Sequence, residues 1–146
     1  IKAAVRKLQR EGRCDLVVVD YLQRLTCETR PEQRHLEIGQ YSWAFKTLAL
    51  EFKIPVIVLS QLNRSVEMTA DKRPTLQHLK ESGDIEQDAD LVLFLWREDY
   101  YKPETERKGI TEVIVAKQRN GPVGTVELRW NPEYVTFENL AKEVPA

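Results

Sequence analysis

The chain has 146 residues, 42% hydrophobic and 31% charged, which fits a globular domain with a buried core and excludes a disordered chain. Its formal net charge is −1, so any contact with a polyanion must come from a local patch or from several copies acting together. Two cysteines without CxxC spacing and two histidines argue against a disulfide framework or a zinc site, and no apolar run approaches the roughly 18 residues of a membrane span. A reducing, cytoplasmic setting is the expectation.

The opening IKAAVRKLQREG places Ile1, Ala4, Val5 and Leu8 on one helical face, with Gly12 as the stop. It carries no initiator Met and reads as the middle of a helix, so a fragment of a longer protein is expected. DLVVVD (15–20) is a short Val-rich run between two acids, the pattern of a strand covered on both faces. TCETRPEQ then makes a polar loop. Residues 33–52 give the longest helix, with Ile38, Tyr41, Phe45, Leu48 and Phe52 as its apolar stripe. Pro55 opens a second strand, VIVLSQ (56–61). LVLFLW (91–96) and EVIVA (112–116) follow as a third and a fourth. TVELRW alternates strictly and returns through NPEY to VTF, an antiparallel hairpin at a sheet edge. The expected architecture is α/β: an open, mostly parallel sheet flanked by helices, with that hairpin near the C-terminus.

Open sheets of this kind bind ligands beyond the carboxyl ends of their strands. There stand Asp20, Ser60-Gln61, Arg97, and then Lys117 with Arg119. One carboxylate, one amide and several cations suit a metal–phosphate ligand. Asp20 would hold Mg²⁺ through its water shell, Gln61 would meet a terminal phosphate or the attacking water, and the cations would neutralise charge in phosphoryl transfer. Each residue also has a plainer reading. Asp20 suits a helix N-cap, Ser60-Gln61 a satisfied turn, Arg97 a surface pair with Glu98 or Asp99, and Lys117 and Arg119 the charged end of an edge strand. Only the convergence points to chemistry.

None of the six glycines opens a GxxxxGK[ST] phosphate loop. If the nucleotide reading holds, that loop belongs upstream of Ile1. The polar stretch 71–90 is long for a loop, and its Lys72, Arg73 and Lys80 precede an acidic half. A short helix near 82–87 would offer backbone N–H groups to phosphates, against the plainer reading of a solvated loop with a capped helix.

Four strings, DLVVVDYLQ, IPVIVLSQLNRSVE, DKRPTLQHLKESGDIEQDADLVLFLWR and VAKQRNGPVGTVELRW, occur in the order found in bacterial replicative DNA helicases of the DnaB type. The chain resembles the C-terminal motor domain of that family over most of residues 10–138. The resemblance implies a RecA-like ATPase using ATP and Mg²⁺, assembled as a homo-hexamer around single-stranded DNA and moving 5′ to 3′. It implies primase and helicase-loader partners, no membrane contact, and a cytoplasmic, nucleoid-associated location. By motif position, Asp20 matches the acid that holds Mg²⁺–ATP and Gln61 the γ-phosphate sensor. Lys80, Glu81 and Gly83 match the DNA-gripping loop, and Lys117 and Arg119 the cations reaching a neighbour's ATP. Residues 1–146 would then be the C-terminal part of one RecA-like domain, inactive alone because the phosphate loop and catalytic glutamate lie elsewhere. Lys80 stands where Arg is commoner, and Arg24 where an apolar residue is common. A recombinase or recombination mediator and an inert RecA-like interaction module are the alternative readings.

Overall fold

The apolar face of the first segment forms α1 (Lys2–Arg10), described with the rest of residues 1–25 and 34–140 in a computed structural model; the side chains of residues 34, 35 and 80–83 lie outside that description. The expected loop 26–33 also lies outside it. Val5 is buried, while Lys2 and Arg6 pair with Glu51 and the Arg6 guanidinium lies 6.0 Å from the Phe52 ring centre. Gly12 ends the helix at φ +65°: its N–H donates to the Gln9 carbonyl and the Arg13 N–H to the Leu8 carbonyl. A left-handed residue at this position satisfies the last carbonyls of a helix.

Two compact units make up the chain, Ile1–Met68 with Leu76–Ala89, and Thr69–Thr75 with Asp90–Ala146. In the first, β1 (Val17–Val19) and β2 (Val56–Val58) pair in parallel, Val17 against Val56 and Val19 against Val58. The crossover between them contains α2 (Arg34–Phe52), whose Ile38, Phe45 and Leu48 are buried as the stripe predicts. Leu22, 1% exposed, sits in a 3-10 turn (Leu22–Arg24) and packs with Ile38 and Phe45; Val19, Val56, Val58 and Ile85 close around them. Burying such a leucine stabilises the fold by about 2 kcal/mol. Further 3-10 turns cover Arg64–Met68 and Leu76–Ser82, and α3 (Gly83–Asp88) follows, close to the short helix expected near 82–87.

The second unit holds β3 (Leu91–Arg97), α4 (Glu98–Tyr101), β4 (Ile110–Gln118), β5 (Gly124–Asn131) and β6 (Thr136–Asn139). Its four strands lie in the order β3-β4-β5-β6, every pair antiparallel. The α/β class and the C-terminal hairpin are as expected, with Trp130 and Phe137 opposed across it at 4.9 Å. Parallel pairing, however, is confined to β1 and β2 among the described residues. The physical reason is the β3–β4 connection: its only helix is α4, four residues long, whereas a parallel crossover needs a full helix to carry the chain back.

The continuous apolar runs are strands, yet each sheet leaves one face bare. Val92, Phe94 and Trp96 are buried while Leu91, Leu93 and Leu95 are about half exposed, and Val18 and Ile57 are likewise uncovered. Coverage on both faces, which the runs predict, is therefore not completed within these units.

Gly109 adopts φ +71° where the chain enters β4. Its N–H donates to Asp99 Oδ2 at 2.9 Å, and its carbonyl accepts the Trp130 N–H. An added Cβ would lie 3.4 Å from the Trp130 carbonyl oxygen, in a backbone region unfavourable to L side chains. Gly109→Ala should lower stability by about 1–2 kcal/mol, read as a lower urea midpoint at unchanged slope; an unchanged midpoint would show that the turn does not need glycine.

Candidate nucleotide and DNA site

Asp20 stands exposed one residue past β1, and its peptide bond to Tyr21 is cis. Backbone pairing continues beyond the two strands: the Leu59 N–H donates to the Val19 carbonyl at 2.9 Å, and the Leu22 N–H to the Leu59 carbonyl at 2.8 Å. Asp20 and Gln61 are thereby held at the same carboxyl end of the parallel pair, where phosphate-binding groups belong in such sheets. Sequence reasoning missed Gln23. Its Nε2 donates to Ser60 Oγ at 2.9 Å and its Oε1 accepts the Gln61 N–H at 3.1 Å, and the Ser60 hydroxyl donates to the Gln61 carbonyl at 3.3 Å. The one available signal was DYLQ itself, an amide three residues after the acid.

Asp20 offers one carboxylate, and no cluster of three or more His, Cys, Asp or Glu side chains that could hold a metal occurs among the described residues. That donor set does not form a protein cage. It fits Mg²⁺ kept largely in its own waters and phosphate oxygens, touched by a single acid.

The cationic residues are distributed differently from the expectation. Antiparallel pairing sets Leu91 against Gln118 and Arg97 against Thr111, so Arg97 lies at the opposite end of the ladder from Lys117, about 20 Å away at 3.3 Å per residue. Arg97 instead pairs with Asp99 at 2.9 Å, the plainer reading given above, and its guanidinium lies 5.5 Å from the Trp130 ring centre. Burial raises the Asp99 pKa, but the Arg97 guanidinium and the Gly109 N–H outweigh it and hold the carboxyl below its ordinary value. Arg73, counted among the loop cations, is committed to Glu112 and to the face of Trp96, 4.1 Å from the ring centre. Lys72 lies 4.9 Å from the Tyr101 ring centre.

Lys117 is the penultimate residue of β4 and Arg119 follows the strand directly. The Arg119 guanidinium meets Asp90 Oδ1 at 3.0 Å, and the Arg119 backbone N–H donates to the Asp90 carbonyl at 2.8 Å. Arg119 thus has an anion within its own chain, although both side chains remain at least half exposed. Lys80, Glu81 and Gly83 fall at the junction of the last 3-10 turn and α3, and their side chains lie outside the described residues. The Asn63 N–H donates to the His78 carbonyl at 2.9 Å, and buried His78 and Leu79 anchor the approach to that junction.

Residues 1–139 match the family described as the DnaB-like helicase C terminal domain. The replicative DNA helicase DnaB of Geobacillus stearothermophilus is 50% identical over 143 residues, 97% of this chain and 32% of that protein. The Haemophilus influenzae replicative DNA helicase DnaB is 44% identical over 144 residues, 98% of this chain and 31% of the relative. Among solved structures, a DnaB-like replicative helicase, described with its interactions with primase, superposes with a TM-score of 0.90 at 47% identity, covering 96% of this chain and 34% of that one. A second solved structure, described as an ATPase domain, gives the same score and identity over 50% of its chain. The chain spans about a third of the length of the curated relatives.

Proposed function

Because this chain belongs to the DnaB-like helicase C-terminal domain family, we propose that it is part of the ATP-driven motor of a ring-shaped replicative helicase that moves 5′ to 3′ on single-stranded DNA and unwinds duplex. The family match across residues 1–139 carries this reading. Residues 1–146 form the C-terminal part of one RecA-like domain, whose remaining elements cover the bare faces at Val18, Ile57, Leu91, Leu93 and Leu95. Exposed apolar surface of that kind on each unit calls for a packing partner.

In this motor, Asp20 would be the protein group that holds Mg²⁺, and the ion would supply positive charge to screen the phosphates of ATP. Gln61 reads the terminal phosphate and aligns the attacking water. Lys117 and Arg119 act across the subunit interface, where a cation supplied by a neighbour stabilises the developing charge only in a correctly assembled ring. Lys80, Glu81 and Gly83 meet the DNA backbone, a contact repeated around the homo-hexamer so that a nearly neutral chain still grips a polyanion. Primase and a helicase loader are the expected partners; the solved relative described with primase supports the first. No helix among the described residues is long and apolar enough to cross a membrane, which fits a cytoplasmic, nucleoid-associated motor.

The test is a chimera in which this chain replaces the matching third of the Geobacillus stearothermophilus replicative helicase. It should open a forked duplex in an ATP-dependent manner, loading on the 5′ tail. A chimera that folds and assembles but hydrolyses ATP without unwinding, or that exchanges strands instead, would sink the helicase reading.

A further inference from the structure

We infer that Gln23 is the positioning residue for Gln61, holding the sensor's backbone by a bridge between the ends of β1 and β2. The inference rests on the reading of Gln61 as the residue that meets the terminal phosphate. Leu22, 1% exposed, fixes the 3-10 turn in the core, so the neighbouring Gln23 leaves the turn in a set direction. Its two amide atoms are used separately. Oε1 accepts the Gln61 N–H at 3.1 Å, while Nε2 donates to Ser60 Oγ at 2.9 Å. The Ser60 hydroxyl donates in turn to the Gln61 carbonyl at 3.3 Å. Both backbone polar groups of Gln61 are therefore tied, one directly and one through Ser60, and its side chain remains exposed toward solvent.

The amide orientation follows from the partners, because a backbone N–H can only be met by the oxygen. A residue that must place one amide within hydrogen-bond reach of a phosphate gains from a backbone that does not swing. A displacement of about 1 Å at a reacting centre costs up to roughly 100-fold in rate. Ser60 does not replace the bridge, because of the two Gln61 backbone groups its hydroxyl reaches the carbonyl and not the N–H.

Two variants separate the bridge from mere packing. Gln23→Met keeps the length and removes both hydrogen bonds, whereas Gln23→Glu keeps an acceptor for the Gln61 N–H. In the chimeric helicase, Gln61→Ala should lower kcat for ATP. Gln23→Met should lower kcat by about tenfold or more with KM and ATP affinity within about twofold, a loss confined to the transition state. Gln23→Glu should recover kcat to within about threefold. Adding Gln23→Met to Gln61→Ala should cost nothing further, since the two act as one unit. In the 146-residue chain, Gln23→Met should accelerate hydrogen exchange at the Gln61 amide and leave the Leu59 amide, bonded to Val19, unchanged. If Gln61→Ala leaves kcat intact, the sensor reading fails and this inference with it. If Gln61→Ala is slow but Gln23→Met turns over normally, or the Gln61 amide exchanges as before, the sensor stands and the role of Gln23 is overturned.

Discussion

Arg119→Ala in a helicase carrying this chain should retain ATP binding and lose turnover by about 10³-fold or more, the range measured when a cation supplied to a phosphoryl group is removed. The side chain leaves the end of β4 half exposed. Its present partner, Asp90, is at least as exposed, and surface pairs of this kind contribute about 0–1 kcal/mol. Asp90 therefore parks the guanidinium without locking it. On the proposed reading, a triphosphate on a neighbouring subunit would compete for that fork of donors through its greater charge.

The discriminating form of the experiment mixes two inactive proteins. If Arg119 acts in trans, an Arg119→Ala subunit still holds ATP through its own Asp20, and an Asp20→Ala subunit still offers its Arg119. An equal mixture then restores about a quarter of the interfaces in a randomly assembled ring. ATPase activity should reappear on mixing and peak near equal proportions. No recovery at any ratio would place Arg119 within its own subunit's chemistry or outside the chemistry altogether.

Much of this arrangement was legible in the sequence, and the boundary has physical causes. Helix α2 was readable because its stripe depends only on local period, and Ile38, Phe45 and Leu48 are buried accordingly. Strand positions were readable from apolar runs, as were the parallel β1–β2 pair and the C-terminal hairpin, but the direction of β4 against β3 was not. Direction is decided by the connection, and the stretch between Arg97 and Ile110 holds only the four-residue α4. That single misreading also displaced Arg97 from the supposed cluster of cations. Gln23 was illegible for another reason: its partners lie 37 and 38 residues away, and no local pattern announces which amide a turn will aim across a sheet. Arg73 counted only as one cation of the 71–90 stretch, and its partner Glu112, 39 residues away, was equally illegible from local pattern.

Glu112 is where the second unit should prove most sensitive. It lies on β4 between its cross-strand neighbours Trp96 and Glu127, and it is buried. Two carboxylates opposed on adjacent strands repel. Arg107 relieves this by reaching Glu112 at 3.1 Å and Glu127 at 2.8 Å. Arg73 supplies the stronger contact, a fork of 2.9 and 2.7 Å onto both Glu112 oxygens, with its plane over Trp96. Those hydrogen bonds from Arg73, reinforced by both guanidinium charges, hold the Glu112 carboxyl below its ordinary 4.5 against the opposing effect of burial. Glu112→Ala strips the anion from two arginines and should cost about 2–4 kcal/mol. The lower end of the range applies to the extent that Arg73, 40% exposed, recovers water. Because the folded pKa is depressed, this stabilisation is present above pH 4.5 and is lost as pH falls through the folded value. Urea midpoints of the chain should therefore drop on acidification below about pH 4.5, and the drop should flatten in Glu112→Gln, which cannot titrate. An alanine variant within about 1 kcal/mol of the parent at pH 7 would show that the fork is a solvated pair and not the support of this sheet.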